Sequence, residues 1–581
     1  MTRQFAGLIA GLSMALAAHA ATAQQAAGDW LGALAVSPAL TLHVAIHIHK
    51  DAAGVDTGTF DSLDEAVYGL PLSEIANADG SLAFTVARLH ATYAAKWAAA
   101  NHGWIGQWSQ GGRSLPMTLI AGQVPAAPIV AGLDGDWDGA LTVTAGMKLR
   151  LALHIETGPR GTMARLRSID QQSTMAVSSL SRTGDKVRVE IKVIGAVFDA
   201  SLDPKGQTLT GTWTQGGQPL PLALTRRAAG QAEAVLKRPQ TPVKPYPSRE
   251  EQVTFEDAAG HVKLAGTLTL PQGAGPFPAV VLVSGSGPNT RNEPIMGHQL
   301  FLVLADHLTR HGIAVLRYDK RGTGVSTGDY AKATTQDFAN DADAAAAWLR
   351  GRQEIDPAKV GLIGHSEGGL IAPMVAVGDP KVGFIVMMAG PGVDGAQVLA
   401  EQGRLISKAM GLSDQQVADS SALREQMIAI VRAEKDPAVA AAKMRALVAR
   451  DPKRKDVPQA TIDAQIEAIN TDWFRFFFNY DPAIALRQVR CPVLAMIGSK
   501  DLQAPPDQNL PAIRAALAHN RDAEVEELPS LNHLFQTART GAVGEYGEIE
   551  ETIAPLALDT MTNWIVKHVG PPAHGRGGGG A

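Results

Sequence analysis

Cysteine is almost missing from these 581 residues: Cys491 stands alone, so no disulfide can form within the chain. Stability has to come from ordinary cores, and the thiol, in the apolar run from Cys491 to Gly498, reads as an inert core group. Concentrated basic charge is missing too. A net charge of -5 and no lysine- or arginine-rich block give no electrostatic case for a nucleic-acid partner. No G-x-x-x-x-G-K-[ST] stretch and no strand-bound G-x-G-x-x-G occurs, so no nucleotide or metal cofactor is implied. Long apolar runs are absent as well: the stretch Phe5–Ala18 is too short to span a bilayer.

That short run has a different meaning. Arg3 precedes it and Ala21-Thr22-Ala23 follows, a small-x-small cleavage pattern, so residues 1–23 read as a signal peptide cleaved after Ala23. The expectation is a periplasmic or secreted protein with no integral membrane segment after cleavage.

The next two hundred or so residues repeat themselves. Gly106-Gln107-Trp108-Ser109-Gln110-Gly111-Gly112 recurs as Gly211-Thr212-Trp213-Thr214-Gln215-Gly216-Gly217, and Asp29-Trp30 as Asp136-Trp137. Alternating apolar residues between turn signals predict two tandem all-β modules, meanders or small barrels, at 24–125 and 126–227. Trp108 and Trp213 are expected to fill the interiors, with surface aromatics for carbohydrate or lipid binding as the alternative. His43, His47 and His49 share one strand face. The second copy has Arg150, His154 and Glu156 there, which argues against a metal. A proline-rich linker is expected at 228–250 and a disordered tail at 571–581.

From Glu251 onward short apolar strands alternate with helical stretches, the pattern of an α/β domain with a parallel sheet covered on both faces. Within it, Gly364-His365-Ser366-Glu367-Gly368 fits G-x-S-x-G between a strand and a helix, the setting of a nucleophile on a sharp turn. Residues 251–570 thus resemble the α/β-hydrolase superfamily, whose acid and histidine follow the serine in chain order. Asp501 lies just past a late strand, and His533 lies on a loop after the last one. The neighbouring Asp507 is explained as surface charge. His533 would take the Ser366 proton and return it to the leaving group, while Asp501 fixes the imidazole tautomer.

The oxyanion hole needs two backbone donors, one being the amide after the nucleophile, Glu367. The resemblance to the superfamily's His-Gly-x loop implies Ser286 for the other, with Ser284 standing where histidine is common. Arg317–Gly328 is similar to the superfamily's Asp-x-Arg-Gly-x-Gly-x-Ser loop, in which Asp319 and Arg321 are expected to brace rather than touch substrate. A helical lid is predicted over about 395–487. Its aromatic end offers Trp473, Phe474 and Phe477 as either core or substrate pocket.

The stretches "GHSEGG", "SGSGP", "WFRFFF" and "GSKDLQ" resemble bacterial carboxylesterases of the EstD type, within the serine aminopeptidase-like α/β-hydrolases. That resemblance implies hydrolysis of a small short-chain acyl ester by a carboxylesterase. Two readings compete. One is a serine aminopeptidase or dipeptidyl peptidase in which Glu367 or Glu293 holds a substrate ammonium. The other is an envelope polymer- or lipid-binding protein with a vestigial hydrolase.

Overall fold

The computed structural model describes residues 26–570 apart from 38, 39, 66, 90, 111, 112, 125, 145, 146, 172, 229, 234, 235, 452, 453, 456 and 458. The expected signal peptide at 1–23 and tail at 571–581 lie outside the described residues.

Each repeat forms one nine-stranded antiparallel sheet. With strands counted in chain order within a module, both sheets run 4-3-2-1-9-8-7-6-5. First and last strands pair, Trp30 opposite Ala121 and Trp137 opposite Arg226, so each meander curls nearly into a barrel. The gap lies between strands four and five, Val67–Pro71 and Ser73–Ala78 in the first module, Ser173–Ala176 and Ser179–Thr183 in the second.

Alternation in the sequence becomes inside and outside: Val187, Val189 and Ile191 are buried on one strand, and Ala196, Phe198, Ala200 and Leu202 on the next. Trp108 and Trp213 are both interior at 3% exposure, and Trp108 stacks on Phe60 with ring centres 5.1 Å apart. The duplication extends to single bonds. The indole of Trp30 donates to the Ala26 carbonyl at 2.8 Å, that of Trp137 to Leu133 at 2.9 Å. His47 pairs with Asp29 and His154 with Asp136, at 2.7 and 2.8 Å. Among the described residues no group of three or more His, Cys, Asp or Glu side chains is placed to hold a metal.

The chain divides into two compact units. One comprises the described residues of 26–62, 67–109 and 114–124, and the other holds the second module together with the C-terminal sheet. The proline-rich segment is therefore not a free tether. Arg238 donates to the carbonyls of Met296, Gly547 and Ile549 at 2.8, 3.0 and 3.1 Å, and Gln240 to that of Ile553 at 2.7 Å. From the module side, Arg150 pairs with Asp170 and reaches the Gly547 carbonyl at 3.4 Å.

The C-terminal sheet has eight strands: β1 (Arg249–Asp257), β2 (Val262–Leu270), β3 (Phe277–Val283), β4 (Ala314–Tyr318), β5 (Ile355–His365), β6 (Ile385–Met388), β7 (Val493–Gly498) and β8 (Ala523–Leu528). Their order is 1-2-4-3-5-6-7-8. The strand β2 is antiparallel to both its neighbours, and the remaining pairs are parallel. Every residue of β3 is buried because both faces are covered. Val281 and Val283 belong to one core, which includes side chains of α2 (Thr335–Arg350), α3 (Glu367–Gly378) and α10 (Pro506–Ala516). Val280 and Leu282 belong to a second core, with side chains of α1 (Leu300–Arg310) and α11 (Pro555–Val569). Between β6 and β7 the chain leaves the sheet for α4 (Gly395–Ala409), α5 (Asp414–Ala433), α6 (Pro437–Val448), α7 (Gln459–Ile469), α8 (Asp472–Asn479) and α9 (Pro482–Leu486), which occupy the position expected for a lid. No helix among the described residues is long and apolar enough to cross a membrane.

The matched indole bonds give a test of the duplication. Trp30→Phe and Trp137→Phe should each lower stability by about 1–2 kcal/mol, since each strands a buried carbonyl while keeping most of the ring packing. Urea denaturation of the two variants should show equal losses; a loss in one alone would mean that the second bond is not equivalent.

Candidate active site

Parallel strands end on one edge of the sheet, and the loops after them carry the polar residues. After β5 the chain turns sharply into α3, and Ser366 sits at the corner with φ 53° and ψ -114°. Glycines make that corner possible. A Cβ on Gly364 would lie 1.9 Å from the Gly368 carbonyl oxygen, and one on Gly368 would lie 2.0 Å from that of Val283. The Ser366 amide is bound to the Met388 carbonyl at 2.8 Å, which ties the corner to the end of β6.

Asp501 lies in the turn after β7, 2% exposed, where one carboxylate oxygen accepts the amides of Gln503 and Ala504, both at 2.8 Å. Its other oxygen is 2.8 Å from His533 Nδ1. That bond assigns the proton to Nδ1 and leaves Nε2 as an acceptor. The loop after β8 that carries His533 is shaped by Asn532, whose side-chain oxygen accepts the amides of Leu534 and Gln536 at 3.0 Å. Ser366 and His533 line one cavity of about 430 Å³, together with Ser286, Glu367, Trp473, Phe474 and Phe477. Asp507 is exposed on the first turn of α10.

The lid aromatics answer both descriptions offered for them. Phe477 and Phe478 are buried in the lid's own core, while Trp473, Phe474 and Phe477 also face the cavity. Trp473 stacks on Phe477 at 5.0 Å, and its indole donates to Glu367 Oε1 at 2.6 Å. Asp319 and Arg321 form braces: Asp319 binds Arg291 at 2.7 Å, and Arg321 binds Asp341 and Asp257 at 2.7 and 3.0 Å. Cys491 is half-buried, and burial pushes its thiol up to about 11.

Two buried carboxylates border the cavity, and each has internal partners. Glu367 accepts from Lys320 Nζ at 3.0 Å, from the Thr335 hydroxyl at 2.8 Å and from Trp473. Glu293 Oε1 accepts the Gly285 amide at 2.7 Å and faces His365 Nδ1 at 3.0 Å. His365 Nε2 meets the backbone oxygen of His533, also at 3.0 Å. An acceptor at each ring nitrogen favours the doubly protonated form of His365. Burial works against that charge, but Glu293, the His533 carbonyl and Asp501 together raise its pKa above the usual value.

Sequence reasoning passed over Lys320, His365, Gln503 and Tyr546. The first three stand inside the motifs used to find their neighbours, so their positions were the available signal. Tyr546, hydrogen-bonded to Gln503 at 3.0 Å, lines the cavity from a loop with no motif.

Residues 259–519 match the family described as X-Pro dipeptidyl-peptidase (S15 family). A curated relative, esterase EstD of Thermotoga maritima, is 28% identical over 309 residues, covering 52% of this chain and 66% of the relative. An uncharacterised protein of Mycobacterium tuberculosis is 36% identical over 75 residues, 13% of this chain and 26% of its own. Among solved structures, an esterase of Pyrococcus furiosus covers 55% of this chain and 93% of its own at 15% identity, with a TM-score of 0.33. A hypothetical protein of Pseudomonas aeruginosa covers 58% and 99% at 17% identity, with a TM-score of 0.37.

The charge on His365 predicts a pH dependence of stability. Its folded pKa is raised above the unfolded value of about 6.5, so its contribution is complete below that pH and is lost as pH rises through the folded value. The unfolding midpoint should therefore fall more between pH 6 and pH 9 in the parent than in His365→Gln. Parallel curves for the two proteins would show that His365 is neutral.

Proposed function

We propose that the C-terminal part of this chain is an α/β-hydrolase of the esterase type, and that the protein is an exported serine hydrolase that cleaves short-chain carboxylic esters. The observation that carries this reading is the 2.8 Å bond between buried Asp501 and His533, whose ring shares a cavity with the strained Ser366. In the proposed reaction His533 Nε2 takes the Ser366 proton as Oγ adds to the ester carbonyl, and the carbonyl oxygen becomes an oxyanion facing the amides of Glu367 and Ser286. Collapse breaks the bond to the alkoxide, which leaves with the proton from His533. Water repeats the sequence on the acyl-enzyme and frees the acid. The imidazolium formed in each half is stabilised by Asp501.

The acyl group is assigned to the apolar wall of Val398, Leu399, Trp473, Phe474 and Phe477. A cavity of about 430 Å³ suits a small substrate. Charge favours an ester over a peptide. A peptide's free amino terminus calls for a carboxylate, whereas Glu367 is paired with Lys320 and Glu293 with His365. Neutral esters ask for no such clamp, and an alkoxide leaves more readily than an amine. Export rests on residues 1–23, and N-terminal sequencing of the mature protein should begin at Gln24.

Ser366→Ala should lose p-nitrophenyl acetate and butyrate hydrolysis by at least about 1,000-fold without a change in unfolding midpoint. Asp501→Asn should lose about 10,000-fold, and Asp507→Asn should stay near parent activity. A Ser366→Ala enzyme within tenfold of the parent would remove the nucleophile from the scheme. Faster turnover of alanyl-prolyl p-nitroanilide than of either ester would reassign the enzyme as a peptidase.

A further inference from the structure

Lys320 has no part in the chemistry above, yet its side chain is 3% exposed and its ammonium is committed to two partners beside Ser366. Nζ donates to the Gly285 carbonyl at 2.7 Å and to Glu367 Oε2 at 3.0 Å, while lying 4.2 Å above the Phe338 ring. Those partners belong to the two residue pairs that would supply the oxyanion hole.

The Gly285 carbonyl and the Ser286 N–H are opposite ends of one planar peptide unit, pointing in opposite directions. A cation on the oxygen draws electron density away from the nitrogen, so the N–H at the far end becomes a stronger donor. The Asn289 side-chain amide adds a second donor to the same oxygen at 2.9 Å. The Gly285 amide itself is taken by Glu293, whereas the Ser286 amide has no partner among the described residues. At the other donor, Glu367 carries a buried carboxylate on the residue whose own amide faces the site, and an uncompensated negative charge there would oppose an oxyanion. The Lys320 ammonium cancels it.

We propose that Lys320 is a positioning residue that sets the strength of the oxyanion hole by polarising the Gly285–Ser286 peptide while neutralising Glu367. The inference rests on the esterase reading of Ser366. The step it governs is addition of Ser366 Oγ to the carbonyl carbon, with the proton passing to His533 and the carbonyl π pair becoming the oxyanion lone pair.

The test compares the parent, Lys320→Met, Glu367→Gln and the double variant. Removing an oxyanion donor outright typically costs about 100- to 1,000-fold, so weakening one should lower kcat in Lys320→Met by about 30- to 100-fold, with KM within about threefold. The readout that separates this from a packing role is affinity for 1,1,1-trifluoro-2-hexanone relative to 2-hexanone. The trifluoromethyl ketone forms a hemiketal oxyanion on the nucleophile, and its advantage should shrink by the same factor as kcat. The double variant should recover only in part, because Glu367→Gln removes the uncompensated charge while the Gly285 carbonyl still lacks its cation. Equal losses for both ketones, or full recovery of kcat in the double variant, would overturn the proposal, leaving Lys320 with packing or charge cancellation alone. If Lys320→Met does not fold, Lys320→Gln, which keeps a donor without the charge, carries the same comparison. A parent with no preference for the trifluoromethyl ketone would overturn the esterase reading and this inference with it, whereas a parent preference that Lys320→Met retains overturns this inference alone.

Discussion

At Ser366 the backbone is held where a residue with a side chain rarely goes, and such a conformation costs about 1–3 kcal/mol that the surroundings must offset. The offset is close packing. The β5–α3 corner comes so near to β3 and to its own first helical turn that no Cβ fits at Gly364 or Gly368. The parallel strands β3, β6 and β7 and the Val360–His365 part of β5 are buried on both faces, and that slab fixes the corner. Everything polar in the site is measured from this one turn: the α3 amides, the Gly285 loop at the end of β3 and the turn after β7.

Three buried polar pairs surround the turn. Lys320 faces Glu367, His365 faces Glu293, and His533 faces Asp501, all nearly inaccessible to water. Breaking a buried pair by removing one member leaves an uncompensated charge and costs about 3–5 kcal/mol. The pairs are also joined: Gly285 receives Lys320 at its oxygen and Glu293 at its amide, and His365 passes from Glu293 to the backbone of His533. The His533 loop is therefore joined to the proposed oxyanion loop through two side chains.

How much of this could be read in advance follows from where the information sits. Ser366, Asp501 and His533 were legible because a serine on a strand-to-helix corner and a fixed chain order narrow the search to single positions. The two β modules were legible from repetition, and the alternation in Lys186–Ile191 already named the buried residues. Lys320 and His365 were hidden because their partners, Gly285, Glu367, Glu293 and His533, come from four separate stretches of chain, and pairing at that range has no local pattern. The segment 228–250 was read by its prolines. Its composition could not show that Arg238 and Gln240 bind loops three hundred residues away.

That attachment has an evolutionary side. Arg238 and Gln240 end on the carbonyls of Met296, Gly547, Ile549 and Ile553, which every amino acid possesses. The loop that supplies the last three also carries Tyr546 to the cavity wall. Selection can therefore rewrite the side chains of this loop, and with them the shape offered to a substrate, without loosening the joint that holds the second module in place. In these four bonds heredity is carried on one side only, by an arginine and a glutamine.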